Sequence, residues 1–185
     1  MDNYENQLKR IVENDVYMVS ILQAVEKLKL EDAWVCAGFI RNKVWDVLHN
    51  IKTPLNDIDV IYFDNTDTSF EKEKQLEKEL ENLLPNQLWS VKNQARMHLI
   101  SGFKPFTSSY DGVAHFPETP TAIAVRMCHQ DIDIMAPYGL QDLFEMRVKP
   151  TPFFQGNNNE LYSIFVDRIK RKKWNEIWKG LSISF

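Results

Sequence analysis

Two aspartates separated by one residue are the feature of this sequence that most directly suggests chemistry. Asp57 and Asp59 stand in the run DIDVIYF, whose β-branched and aromatic residues predict a strand over residues 57–63. Alternate residues of a strand point to the same face, so the two carboxylates are expected side by side, with Ile58 and Val60 in the core. Neighbouring carboxylates repel each other unless a cation lies between them, and Mg²⁺ is held by one or two carboxylates together with substrate phosphates. The pair therefore indicates a magnesium site.

A glycine and an arginine upstream of this pair suggest an anion site. The apolar run AWVCAG predicts a buried strand that ends at Gly38, and residues 39–50 predict a helix that begins at once. Gly38 permits close approach of a backbone, and the free N–H groups at the start of a helix bind anions. Arg41, in the first turn of that helix, is placed to pair with a phosphate through two hydrogen bonds. Together with the aspartates, these residues predict a site for a metal and a nucleotide.

The order of these motifs resembles a known superfamily. The string GFIRN followed by DIDV is similar to the head of the DNA polymerase β-like nucleotidyltransferases, in the style of poly(A) polymerases and CCA-adding enzymes. The segments AGFIRNKVWDVLHN, TPLNDIDVIYFD, VKNQARMH and APYGLQDLFEMRVKPTP resemble a bacterial family of uncharacterised nucleotidyltransferase-like proteins, over about residues 30–180. Two positions depart from the poly(A)-type pattern: Phe39 follows Gly38 where glycine or serine is expected, and Asn42 replaces an aspartate.

The resemblance implies an Mg²⁺-dependent (or Mn²⁺-dependent) transfer of a nucleotidyl group from an NTP to a hydroxyl, with release of pyrophosphate. It assigns Asp57 and Asp59 to the metal and requires a third carboxylate that orients or deprotonates the acceptor. The strand predicted over residues 88–91 contains no acid. Asp133 is the better candidate because isoleucines flank it on a predicted strand, and Asp131 is the alternative.

The same resemblance implies phosphate contacts from Gly38, Arg41, Asn42 and Arg96. The acceptor stays open between a small molecule, a protein side chain and an RNA end. Long nucleic acid is the least favoured acceptor, because 22 Lys+Arg against 26 Asp+Glu give a net charge of −4. Two rivals remain: a catalytically inactive nucleotide-binding or regulatory module on the same fold, and an interaction protein in which the two aspartates are solvated strand-end charges.

Length and composition predict one globular domain over residues 1–185. We divide it into N-terminal helices (1–30), a catalytic-type core (31–150) and a C-terminal helical segment (151–185). Hydrophobic residues make up 44% and charged residues 26%, which is typical of soluble proteins. Two cysteines without a CxxC pair, a polar N-terminus and the lack of a long apolar run predict a cytoplasmic protein without a membrane span.

The elements predicted around the site form an α/β (α+β) fold with a small mixed β-sheet flanked by helices. Beyond the strands and helix already given, the patterns predict one or two helices over 3–30, a helix over 70–84 with a solvated Glu/Lys face, helix or loop over 93–100, and a strand over 130–135. They also predict an N-capped helix rather than a strand over 121–127, a helix over 140–148, a loop over 155–159, and a basic amphipathic helix over 162–178 in which Trp174 and Trp178 anchor the core.

Overall fold

The computed structural model describes residues 3–156 and 159–185; part of the loop predicted over 155–159 lies outside the described residues. The elements follow in the order α1 (Tyr4–Glu13), α2 (Val16–Glu26), β1 (Trp34–Cys36), α3 (Gly38–His49), β2 (Ile58–Tyr62), α4 (Phe70–Leu83), β3 (Trp89–Asn93), α5 (Gln94–Ser101), α6 (Ser109–Ala114), β4 (Ala124–Cys128), β5 (Asp131–Met135), α7 (Gln141–Phe144), β6 (Arg147–Val148), α8 (Asn159–Lys172), α9 (Trp174–Ile177) and β7 (Ser182–Ile183).

The first five strands form one mixed sheet in the order β3-β2-β1-β4-β5. Strands β2 and β3 are parallel, and the other neighbours are antiparallel. One face carries the main core, where Val35, Ile58 and Val60 are buried against the helices. On the other face, Asp59 lies opposite Cys36, which in turn lies opposite Ala124. The mixed sheet with flanking helices is the fold predicted from the sequence.

Helix α4 covers the outer edge of β3 with two carboxylates one helical turn apart. Glu73 Oε1 accepts a hydrogen bond from the Asn93 backbone N–H at 2.8 Å, and Glu77 Oε1 accepts one from Val91 N–H at 3.1 Å. Glu73 is fully buried. The acidic face predicted to be solvated is therefore solvated only in part, because these two glutamates take the place of a neighbouring strand.

Three predictions of secondary structure were wrong in type or extent. Residues 124–128 form a strand rather than a helix, because they pair with β1 on one side and β5 on the other. The helix predicted over 140–148 is confined to Gln141–Phe144 and is followed by β6. The helix predicted over 162–178 is interrupted at Lys173, whose φ of 49° lies in the left-handed region and ends α8.

The C-terminal helices return to the start of the chain. Trp174 and Trp178 are buried, as predicted, and both contact the ring of Trp45 edge-on. Trp178 Nε1 donates a hydrogen bond to Asp46 Oδ1 at 2.9 Å. These contacts fix α9 and the residue that follows it beside the C-terminal half of α3. Within the described part of the chain, no helix is both long and apolar enough to span a membrane.

Candidate functional site

The two aspartates of the sequence motif lie at the start of β2. Asp57 is exposed just before the strand, and Asp59 is half-buried within it. Burial, and then the charge of Asp57, raises the pKa of the Asp59 carboxyl, while the Ser90 hydroxyl, Lys92 and Arg168 lower it. A cation beside both carboxylates would relieve this cost. Asp59 lines a cavity that has room for phosphates, and together with the neighbouring Asp57 it offers the carboxylate ligands that Mg²⁺ takes.

The turn between β1 and α3 contains a strained backbone. Ala37 has φ 60° and ψ −125°, and no side chain caps the helix that follows. Positive φ favours glycine, because a Cβ crowds the backbone there. The small residues of the turn are therefore Ala37 and Gly38, and Phe39 lies inside α3 with its ring in the core. The turn therefore consists of Ala37 and Gly38, and the position at which glycine would be expected but is replaced is Ala37, not Phe39.

Arg41 is buried, and both of its Nη nitrogens already have a partner, whereas its Nε has none among the described residues. Its Nη1 donates to Thr121 Oγ1 at 2.7 Å and its Nη2 to Asn42 Oδ1 at 2.8 Å, and its guanidinium lies 4.1 Å from the ring centre of Trp174. Burial lowers the pKa of Arg41 to about 10, against the opposing effect of the Glu118 carboxylate. Arg41 and Asn42 therefore tie the turn to its surroundings rather than presenting open phosphate ligands.

Arg96 lies away from the aspartates. Its Nε and Nη2 donate to the two carboxylate oxygens of Glu73, at 3.2 and 2.7 Å. The residues of α5 that line the cavity beside Asp59 are Gln94, Met97, Ile100 and Ser101, on another face of the helix. Arg96 holds α5 to α4, and the structure does not bring it to the predicted phosphate site.

Asp133 does not join the aspartate pair either. It lies on β5, which β1 and β4 separate from β2, and its Oδ2 accepts hydrogen bonds from Arg126 Nε and Nη2, both at 2.9 Å. Asp131, the alternative, is exposed and pairs with Lys9 at 2.9 Å. Among the residues that the structure describes, no three His, Cys, Asp or Glu side chains are grouped to hold a metal ion. In that part of the chain, the structure does not bring a third carboxylate into a group with Asp57 and Asp59.

A cavity of about 310 Å³ opens beside Asp59. One end is polar and the other is aromatic. The polar end is lined by Asp59, Lys92, Thr121 and Arg168, and the aromatic end by Phe103, Phe106, His115 and Phe116. The wall between them includes Cys36, where burial and then the charge of Asp59 raise the pKa of the thiol well above its usual range. The thiol is therefore a neutral part of the wall.

The aromatic end is held rigidly by ring contacts. His115 Nδ1 lies 2.8 Å from the Asp111 carbonyl oxygen, to which it donates, and its ring stacks on Phe153 at 3.6 Å between centres. The rings of Phe103 and Phe106 lie 4.7 and 4.8 Å from the ring of His115. Such a wall suits a flat, weakly polar group.

Sequence reasoning missed several residues of this cavity. Lys92 carries a usable signal, because it alternates with Ser90 on β3, and Ser90 lies opposite Asp59. Gly112 carries a weaker one: a Cβ there would lie 2.3 Å from Gln94 Oε1, so only glycine lets α6 pack on that side chain. Arg168 gave no signal, because it begins a basic run that is typical of a solvated helix face.

The sequence matches the model of a family described as Nucleotidyltransferase over residues 23–183. No curated protein matches it significantly. An NMR structure described as revealing a CCA-adding enzyme head domain is similar over 98% of this chain and 96% of that one, with 34% sequence identity and a TM-score of 0.84.

Two larger structures share the fold at lower identity. The Thermotoga maritima CCA-adding enzyme complexed with tRNA matches 96% of this chain with 15% identity and a TM-score of 0.60. A CCA-adding enzyme in complex with ATP matches 96% of this chain with 14% identity and a TM-score of 0.57. In both comparisons the chain spans 42% of the length of the larger protein.

Proposed function

This chain belongs to the nucleotidyltransferase family, and from that premise we propose that it transfers a nucleotidyl group from an NTP to a hydroxyl acceptor and releases pyrophosphate. The observation that carries this proposal is the pair Asp57 and Asp59, of which Asp59 lines a cavity with one polar and one aromatic end. In the reaction, the acceptor oxygen bonds to the α-phosphorus, the bond from that phosphorus to the bridging oxygen breaks, and the hydroxyl proton passes to solvent.

Asp57 and Asp59 are the residues that would hold Mg²⁺ (or Mn²⁺). When bound there, the ion neutralises the charge of the triphosphate and of the pyrophosphate that leaves. The N–H groups at the start of α3, after Ala37 and Gly38, face anions favourably because they have no partner within the helix. Lys92 adds a positive charge at the polar end of the cavity. The residues of the aromatic end stack against the base and exclude water from the reacting groups.

The acceptor is a small molecule, a protein side chain or an RNA end. The net charge of −4 disfavours long nucleic acid, since binding a phosphate backbone relies on a positive surface. One observation favours a second candidate, a nucleotide-binding module without turnover. No third carboxylate joins Asp57 and Asp59 within the described residues, so the acid that the resemblance assigns to the acceptor hydroxyl is not grouped with them there.

Calorimetric titration of each NTP, with and without Mg²⁺, tests the proposal without knowledge of the acceptor. We expect binding that requires the metal and is lost in the double variant Asp57→Asn/Asp59→Asn. Asp133→Asn is the matched control, because it removes an aspartate of the same sheet that is bonded to Arg126. Metal-independent binding, or binding unaffected by the double variant, would contradict the proposal. Pyrophosphate release during incubation with candidate acceptors then separates the transferase from the silent module.

A further inference from the structure

We propose that Arg168 of α8 binds the β- and γ-phosphates of the nucleotide, and that Glu118 positions it for this purpose. The inference rests on the proposed function and specifies the substrate as a nucleoside triphosphate read through its phosphate chain. It assigns a binding role to a residue of the C-terminal segment, a long way along the chain from the aspartates.

Glu118 fixes the position of the Arg168 guanidinium. The Arg168 Nε donates a hydrogen bond to Glu118 Oε1 at 2.5 Å. Glu118 is fully buried, and its backbone carbonyl accepts from Thr121 and Ala122 N–H, both at 3.0 Å, so the carboxylate is part of a rigid turn. An anchor at Nε fixes the plane of the guanidinium and leaves the outer edge, formed by the two Nη nitrogens, for another acceptor.

The outer edge of that guanidinium is available to a ligand. Neither Nη nitrogen of Arg168 donates to any residue within 3–156 or 159–185. The side chain is 27% exposed and lines the same cavity as Asp59. A fork of this kind matches the spacing of phosphate oxygens, which it binds through two parallel hydrogen bonds.

The charges around the cavity explain why this arginine is needed. A triphosphate brings more negative charge than one divalent ion neutralises, and Asp57 and Asp59 add to it. Arg41 is occupied by Thr121 and Asn42, and Arg96 by Glu73. Of these three guanidinium groups, Arg168 is the one that the cavity exposes.

A purely structural role for Arg168 would be to neutralise Glu118. Such a role predicts an effect on stability alone. The phosphate role predicts that affinity depends on how many phosphates the ligand carries, and this difference forms the basis of the test.

The experiment is calorimetric titration, in the presence of Mg²⁺, with each NTP, its NMP and inorganic tripolyphosphate. We expect Arg168→Gln to weaken NTP and tripolyphosphate binding about 10-fold or more, and NMP binding less than about twofold. Arg171→Gln, an exposed arginine of the same helix, is the control and leaves all affinities unchanged. Because Arg168→Gln strands a buried carboxylate, the double variant Glu118→Gln/Arg168→Gln is measured too, and we expect the same loss of affinity in a protein that folds more stably.

The outcomes separate the two proposals. If the double Asp variant loses NTP binding and a folded Arg168→Gln keeps it within twofold, the role of Arg168 is overturned and the proposed function stands. An equal loss for NMP and NTP also overturns it. If the wild-type protein binds neither NTP nor tripolyphosphate, both proposals fail. A selective loss for the triphosphates, with the Arg171→Gln control unchanged, supports the assignment.

Discussion

The molecule contains two buried glutamates that each pair with an arginine from another helix, and they differ in how completely they are bonded. Glu73 and Glu118 are both fully buried, and their partners Arg96 and Arg168 have side chains 17% and 27% exposed. Burial and charge are thus similar in the two pairs. The surroundings of the two pairs are not.

The Glu73 pair is saturated. Both carboxylate oxygens accept from Arg96, and Oε1 also accepts from the Asn93 backbone N–H. The Glu118 pair has one hydrogen bond, to Arg168 Nε, and its second oxygen has no partner within the described chain. A saturated pair holds elements together, whereas a pair with unused donors beside a cavity has capacity for a ligand. The comparison separates a structural arginine from a binding one, a difference that residue type alone does not show.

The largest expected effect comes from breaking the saturated pair. Glu73→Gln leaves the Arg96 charge without its carboxylate and weakens the contact between α4 and β3. We expect the free energy of unfolding to fall by about 3 kcal/mol, as is typical when one partner of a buried pair is removed. Urea unfolding followed by circular dichroism measures this. The nucleotide affinity of the folded variant should stay within twofold of wild type. A stability loss below about 1 kcal/mol would contradict the structural role of the Glu73–Arg96 pair.

A smaller effect is expected at the unsaturated pair. Glu118→Gln keeps the volume of the side chain and leaves Arg168 partly solvated, so we expect a loss of about 1.5–2 kcal/mol, at the lower end for a hydrogen bond to a charged group. Unlike Glu73→Gln, this variant should also weaken NTP binding, because Arg168 loses its orientation. Urea unfolding and calorimetric titration are measured in parallel on Glu73→Gln and Glu118→Gln. Equal nucleotide affinity in the two variants would contradict the binding role of Arg168.

The smallest effect concerns Asp59, a partly buried carboxylate that forms no ion pair with an arginine of the described residues. Its raised pKa means that the folded state holds the proton more tightly than the unfolded state. Stability contributed by this group is therefore present at acid pH and lost as the pH rises through the folded-state pKa. We expect Asp59→Asn to gain stability relative to wild type at pH 7, and the gain to shrink toward acid pH. Urea unfolding curves of both proteins, recorded from pH 7 to acid pH, measure this gain in stability. A gain that grows at low pH would contradict the prediction.

The sequence predicted the parts of the site that are local. The spacing of Asp57 and Asp59 and the helix after Gly38 depend on neighbouring residues, and the structure shows the predicted elements there. The helix predicted over 121–127 rested on a helix-start signal at residues 119–121, and the short apolar run that follows has no clear period of its own. Pairing with two strands decides that residues 124–128 are a strand.

Long-range pairing explains what the sequence left undetermined. Glu118 and Arg168 are 50 positions apart, and Glu73 and Arg96 are 23 apart. Neither spacing produces a periodic signal. Asp133 had the flanking residues expected of a third metal ligand, but strand order places it beside Arg126 instead. Strand order depends on the whole chain, so motif context alone does not determine whether Asp133 lies near Asp57 and Asp59.

The carboxylates of α4 on the edge of β3 also bear on how the protein behaves in concentrated solution. An uncovered outer strand offers its N–H groups to any extended chain that meets it, which is how sheets join edge to edge and aggregate. Glu73 and Glu77 occupy the Asn93 and Val91 N–H groups, so a foreign strand finds no donors at those two positions and meets negative charge. At the opposite edge, the Lys9–Asp131 ion pair sets two charges beside β5. Self-association through this sheet is thus opposed at one margin by a helix and at the other by charge.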